Sequence, residues 1–116
     1  MKNKYHNRRT QIGEISFDSV AEARRFNELK MMLEIGEIRD LELQPRFELQ
    51  PSFKKRNRTV RKIEYIADFM YKDRKGNTIV EDVKGMETDV FRLKQKLFEY
   101  KYPNLTLTLI KRGKKK

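Results

Sequence analysis

Asp68, Asp82 and Lys84 stand among apolar and β-branched residues in "YIADFMYKDRKGNTIVEDVKG", residues 65 to 85. Charged side chains in strands otherwise fit for a core need partners, because an unpaired buried charge is strongly disfavoured. Alternate residues of a strand share a face, so Asp82 and Lys84 point one way while Glu81 and Val83 point the other. Glu81 is accordingly expected at the surface. When the two strands pair through a turn from Asp73 to Gly76, Asp68 comes within reach of Asp82 across the hairpin. Two carboxylates so placed repel one another unless a divalent cation or the neighbouring lysine compensates. That is a magnesium site in outline.

Glu22 is a third carboxylate with an informative position. At about 100° per residue, Phe26, Leu29 and Leu33 fall within about 40° of it on a helix, which puts Glu22 inside the apolar stripe and pointing toward the sheet. Ser19 and Glu22 also form an S-x-x-E capping box, so the residue has a structural role beside the chemical one. Hydrolysis of a phosphodiester needs a deprotonated water and stabilised charge at phosphorus, and a carboxylate-held divalent ion provides both without histidine. Lys84 adds a cation where charge develops. The structural alternative for Asp82 and Lys84 is an ordinary surface ion pair of little energetic weight.

The elements that must position these groups follow from periodicity. "TQIGEISFD" suggests a short hairpin around Gly13, and Ser19 to Ile35 has helical spacing with Gly36 as its stop. "LELQPRFEL" alternates as a strand does, interrupted at Pro45. Residues 51 to 59 read as a positively charged loop, followed by strands from Val60 to Tyr71 and from Thr78 to Lys84. A second helix from Thr88 to Tyr100 carries Val90, Leu93, Leu97 and Tyr100 at spacings of three and four, and "LTLTLI" supplies a last strand. The predicted order is helix, three strands, helix, strand: a small α/β sheet with no internal repeat.

Composition narrows the partners. The 116 residues suit one domain, residues 1 to 116, with mobile basic termini at about 1 to 9 and 111 to 116. A net charge of +11, from 28 Lys and Arg against 17 Asp and Glu, predicts attraction to a polyanion, with nucleic acid first. No apolar run approaches a spanning helix and no signal peptide opens the chain, so no membrane role is expected. Without cysteine and with one histidine, His6, thiolate chemistry and histidine-rich metal sites are excluded. Lys54, Lys55, Arg56, Arg58, Arg61 and Lys62, together with Lys111 and Arg112, are the expected DNA contacts; such clusters grip phosphates and carry little base information. Lys94 lies near the apolar stripe of the second helix, from which it reaches either bound phosphate or solvent.

Asp68, then Asp82-Val83-Lys84 within "IVEDVKG", preceded by a helical Glu22, resembles the signature of the PD-(D/E)XK nuclease superfamily. The blocks "FDSVAEARRF", "LQPRF", "YIADF" and "VEDVKG" resemble a phage-encoded branch similar to Holliday-junction resolvases and other small endonucleases. Asp68 follows Ala67 where the family name has proline. The resemblance implies a restriction-endonuclease-like α/β core, a mixed central sheet flanked by helices, and Mg²⁺, replaceable by Mn²⁺, held by Asp68, Asp82, the Val83 carbonyl and Glu22. Lys84 would position the attacking water or stabilise the phosphorane. It also implies branched DNA as substrate, a role in DNA recombination, a homodimer, and the cytoplasm of a bacterial host as the place of action. Two other readings stay open: a processing or degrading nuclease without junction preference, and a non-catalytic DNA-binding protein on the same fold.

Overall fold

The computed structural model describes residues 10–13 and 15–111. The expected mobile stretch 1 to 9 and the tail 112 to 116, with Arg112, lie outside the described residues. A short antiparallel hairpin, β1 (Thr10–Ile12) and β2 (Ile15–Phe17), leads into helix α1 (Val20–Glu34). Ser19 starts the helix: its hydroxyl accepts the Glu22 N–H at 3.1 Å. The helix ends in a Schellman motif, with Glu37 N–H on the Met32 carbonyl and Gly36 N–H on that of Leu33. Gly36 adopts φ 83°, which the turn requires and a side chain would resist.

Seven strands separate α1 from the second helix, α2 (Asp89–Lys101): β3 (Arg39–Leu43), β4 (Arg46–Gln50), β5 (Phe53–Lys55), β6 (Arg58–Val60), β7 (Ile63–Ile66), β8 (Phe69–Lys72) and β9 (Thr78–Lys84). β10 (Thr106–Lys111) closes the chain. The main sheet has the order β10-β9-β8-β3, with β9 and β10 parallel and the other pairs antiparallel. The fold is therefore α/β with a mixed sheet, as expected, but richer in strands. The strand expected from Val60 to Tyr71 is three pieces, and the expected loop 51 to 59 is largely the β5–β6 hairpin.

The breaks have a local cause. Gln44 takes φ 52°, so the chain kinks between β3 and β4 just ahead of Pro45. The partner strand kinks at the same level between β7 and β8, where Gln44 N–H donates to the Asp68 carbonyl and Ala67 N–H to that of Pro45. Beyond the kink β4 pairs only with β7, in a separate two-stranded ribbon. Asp68 occupies the elbow itself.

Each face of the main sheet carries a helix. Phe17, Ala23, Phe26, Leu29, Ile38, Phe69 and Tyr71 pack under α1. Phe47, Tyr65, Ala67, Val80, Phe91 and Phe98 pack under α2. The second core is aromatic: Phe98 sits 4.9 Å from Phe47 and 5.3 Å from Tyr65 between ring centroids, and is fully buried. Burial on this scale contributes roughly 1.5–3 kcal/mol per large apolar side chain. The stripe expected to pack α2 faces the other way. Val90, Leu93, Leu97 and Tyr100 are all exposed, Tyr100 to 88%, because Phe91 and Phe98, seven residues apart, fill the aromatic core instead.

Candidate active site

β9 is covered on both sides, and its alternation decides where each charge goes. Val80 and Asp82 face the aromatic core under α2, while Ile79, Glu81 and Val83 face α1. In the β8–β9 register Phe69 lies opposite Glu81, and the Asp68 N–H donates to the Glu81 carbonyl at 3.0 Å. Asp68 thus meets Asp82 across the pair at the point where β8 begins. The Asp73 turn holds the hairpin at its far end: Asp73 Oδ1 accepts the N–H groups of Lys75 and Asn77, and Gly76 takes φ 88°.

Glu22, Asp68, Asp82, Val83 and Lys84 all line one open cleft of about 470 Å³, with Asp18, Ser19, Ile66, Gly85, Met86 and Thr88 completing its walls. Three carboxyl groups converge there. The Asp68 carboxyl lies within hydrogen-bonding reach of those of Asp82 and Glu22. Its Oδ2 also accepts the Val83 N–H at 2.7 Å, so Val83 meets the cluster through its amide. Burial first, and then the negative charge of Asp82, push the Asp68 carboxyl up to about 9. Glu22 is likewise raised, by burial and by the Asp18 charge, against hydrogen bonds from Asp68 and from the Asp18 backbone. Glu22 therefore both braces the helix start and belongs to the cluster.

Lys84 stands 3.7 Å from Asp82 Oδ2, with its amine 4.3 Å above the Phe91 ring. Tyr65, from β7, donates its hydroxyl to the same Oδ2. Burial holds that phenol far above its usual range, so it stays a donor. Tyr65 and Lys84 thus both engage the same oxygen of Asp82. Tyr65 was not legible as a site residue; a tyrosine where phenylalanine would pack equally well is the only signal the sequence offers.

Glu81 corrects an expectation. It is 1% exposed, not a surface residue, because α1 covers the face to which alternation sends it. Arg25 grips it through Nε at 2.9 Å and Nη2 at 2.7 Å, and Tyr71 donates its hydroxyl to Oε2. This clamp fixes α1, and hence Glu22, against β9.

The donor set is all oxygen, which suits a hard divalent ion. Among the described residues no three His, Cys, Asp or Glu side chains are arranged as a ready cation cage. Carboxyls gathered this closely favour proton uptake, and a cation would replace the proton.

Of the expected DNA contacts, Lys54, Lys55, Arg56, Arg58, Arg61 and Lys62 are exposed on or beside the β5–β6 hairpin, away from the cleft lining. Lys62 pairs with Glu64 at 3.0 Å, and Lys111 with Glu87 at 2.6 Å. Lys94 is half-buried on α2. No helix among the described residues is long and apolar enough to cross a membrane.

Fold and cleft together define a small α/β protein with a buried carboxylate cluster flanked by an amine. By sequence the chain belongs to the family described as "Protein of unknown function (DUF1064)", whose model matches residues 2–116. No curated protein and no solved structure matches it.

Proposed function

We propose that the protein is a Mg²⁺-dependent, structure-selective DNA endonuclease of the PD-(D/E)XK type, with a Holliday-junction resolvase as its sharpest form. One observation carries the reading: Glu22, Asp68 and Asp82, from a helix, an elbow between strands and a strand, bring their carboxyls to one cleft beside Lys84. Structural ion pairs balance charge, whereas this cluster gathers acid until a carboxyl must hold a proton. In this reading α1, the main-sheet strands β3, β8 and β9, then α2 and β10 are taken as the helix, three strands, helix and strand of the core, with β4 to β7 as an excursion.

In this reading Asp68, Asp82 and Glu22 hold Mg²⁺ or Mn²⁺, with the Val83 carbonyl beside them. The bound ion supplies a nucleophilic water at neutral pH and a Lewis acid for the phosphoryl oxygen. Tyr65 fixes Asp82 by one oxygen. Lys84, held over Phe91, stabilises charge developing on phosphorus or orients the attacking water. A resolvase cuts two strands symmetrically and so acts as a homodimer; the exposed stripe of α2 is the apolar surface that suits a second copy. Such an enzyme works in the cytoplasm of a bacterial host.

The test compares wild type, Asp82→Asn and Lys84→Ala on labelled four-way junction and matched linear duplex, with Mg²⁺ and with EDTA. Paired nicks in the junction that need Mg²⁺ and vanish in both variants are expected. Equal cutting of linear DNA would leave a nuclease without junction preference. Tight binding with no cleavage in Mg²⁺ or Mn²⁺ would leave a DNA-binding protein.

A further inference from the structure

The β5–β6 hairpin breaks three local rules at once. First, its two-residue turn places Arg56 at φ 51° and Asn57 at φ 67°, the left-handed pair of a type I′ turn. Asn-Gly is the sequence such turns favour, and a non-glycine residue held there costs about 1 kcal/mol or more. Here arginine occupies the tip. Second, Lys55 lies directly opposite Arg58 in the ladder. Like charges so placed are destabilising by a sizeable part of 1 kcal/mol. Third, β5 and β6 pair with each other and pack on no other helix or strand to any extent, and residues 51 to 59 are all exposed. A lone two-stranded hairpin is marginal in water.

An anion relieves the second directly, and its contacts would offset the cost of the other two. From residue 51 to residue 63 the chain holds six cations and no acid, and among the described residues Lys54, Lys55, Arg56, Arg58 and Arg61 make no ion pair. The distribution of charge identifies the shape of the partner. By alternation Lys54 and Thr59 share one face of the ribbon, and Phe53, Lys55, Arg58 and Val60 the other, with Arg56 at the end. A flat acidic surface meets one face of a ribbon, whereas the walls of a groove meet both. The major groove of B-DNA admits a two-stranded ribbon between two phosphate rows, and that of A-form RNA is too narrow.

We propose that the β5–β6 hairpin is an arm that enters the major groove of duplex DNA and grips phosphates on both walls. The inference rests on the nuclease reading for its choice of DNA. Arg56 and Asp68 are separated by at most about 40 Å of extended chain, so the arm holds the duplex within roughly one helical turn of the cleft.

The test uses the full chain carrying Lys55→Thr, Arg56→Gly and Arg58→Thr together. Glycine removes the strain at the tip and threonines suit a cross-strand pair, so the variant is expected to melt no lower than wild type. Fluorescence anisotropy with a labelled duplex, from low to moderate salt, reads both affinity and its salt dependence. The expected result is a loss of affinity of at least tenfold at low salt, and a salt slope smaller by about 2.7, from three phosphate contacts at about 0.9 each. Binding to single-stranded DNA should fall much less, and Mg²⁺ binding without DNA should be unchanged. Wild-type affinity and slope in the variant overturn the arm while leaving the nuclease reading intact. Equal losses on single and double strands overturn groove entry. A wild-type chain that binds no DNA overturns both readings.

Discussion

Replacing Arg25 by methionine strips Glu81 of the partner that makes its burial tolerable. The guanidinium bonds both carboxylate oxygens, at 2.9 and 2.7 Å, while the Glu81 side chain is 2% exposed and that of Arg25 20%. Breaking a buried pair by removing one member costs about 3–5 kcal/mol, since the remaining charge is left uncompensated. Tyr71 still donates to Glu81, which places the expected loss near the lower end, about 3 kcal/mol. For a chain of this size that lowers the melting temperature by roughly 10–15 °C. Thermal and urea unfolding of Arg25→Met, Glu81→Gln and the double variant measure it. The double variant should recover at least half of the loss, because a neutral amide keeps the Tyr71 bond without a stranded charge. Glu28→Ala, which removes Arg25's exposed second partner, should stay within about 0.5 kcal/mol of wild type. A loss below about 1 kcal/mol for Arg25→Met, or a double variant weaker than either single one, would refute the idea that this clamp secures α1 to β9.

Two further outcomes follow from the cleft and from α2. Asp68 titrates near 3.8 when unfolded and near 9 in the fold, so the native state holds the extra proton between those values, and stability falls as pH rises through that window. In EDTA the melting temperature of wild type, taken relative to Asp68→Asn, should fall from about pH 5 to pH 9, and added Mg²⁺ should abolish the fall; a flat difference would refute the protonated Asp68 carboxyl. On α2, Phe98→Ala should cost about 3–5 kcal/mol by opening the aromatic core, whereas Leu93→Glu with Leu97→Glu should leave stability within about 1 kcal/mol and yield a monomer in sedimentation at every concentration; the reverse ranking would mean that the helix is rotated from the face described.

Strand alternation and helical spacing are local, and what they govern was legible. Asp68 and Asp82 meet because the Asp73 turn fixes the hairpin register, and Glu22 points inward because Phe26 and Leu29 on the wheel do, although Leu33, a turn further on, is exposed. What was not legible depends on which surfaces are covered. Glu81 was assigned the correct side of β9, but only the packing of α1 makes that side an interior. The α2 stripe failed for a related reason. Val90, Leu93, Leu97 and Tyr100 form the better apolar period, yet two phenylalanines with a shaped hole beside Phe47 and Tyr65 bury better than four smaller contacts. Backbone conformation was hidden as well, since nothing in their residue types marks Gln44 and Arg56 for positive φ, although Asn57 is a type that adopts it readily.

The elbow at Gln44 and Asp68 has an evolutionary corollary. Chain leaves the main sheet and returns to it at adjacent positions, joined by the Gln44 and Ala67 amide bonds, so everything from β4 to β7 is a single excursion with one base. Its outer part, the β5–β6 hairpin, can lengthen, shorten or change its charges without altering the register of β8 on β9 that sets the carboxylates. Residues at the base have no such freedom. Among relatives, length variation should therefore gather between Gln50 and Ile63, letting one fixed chemistry be fitted to differently shaped partners.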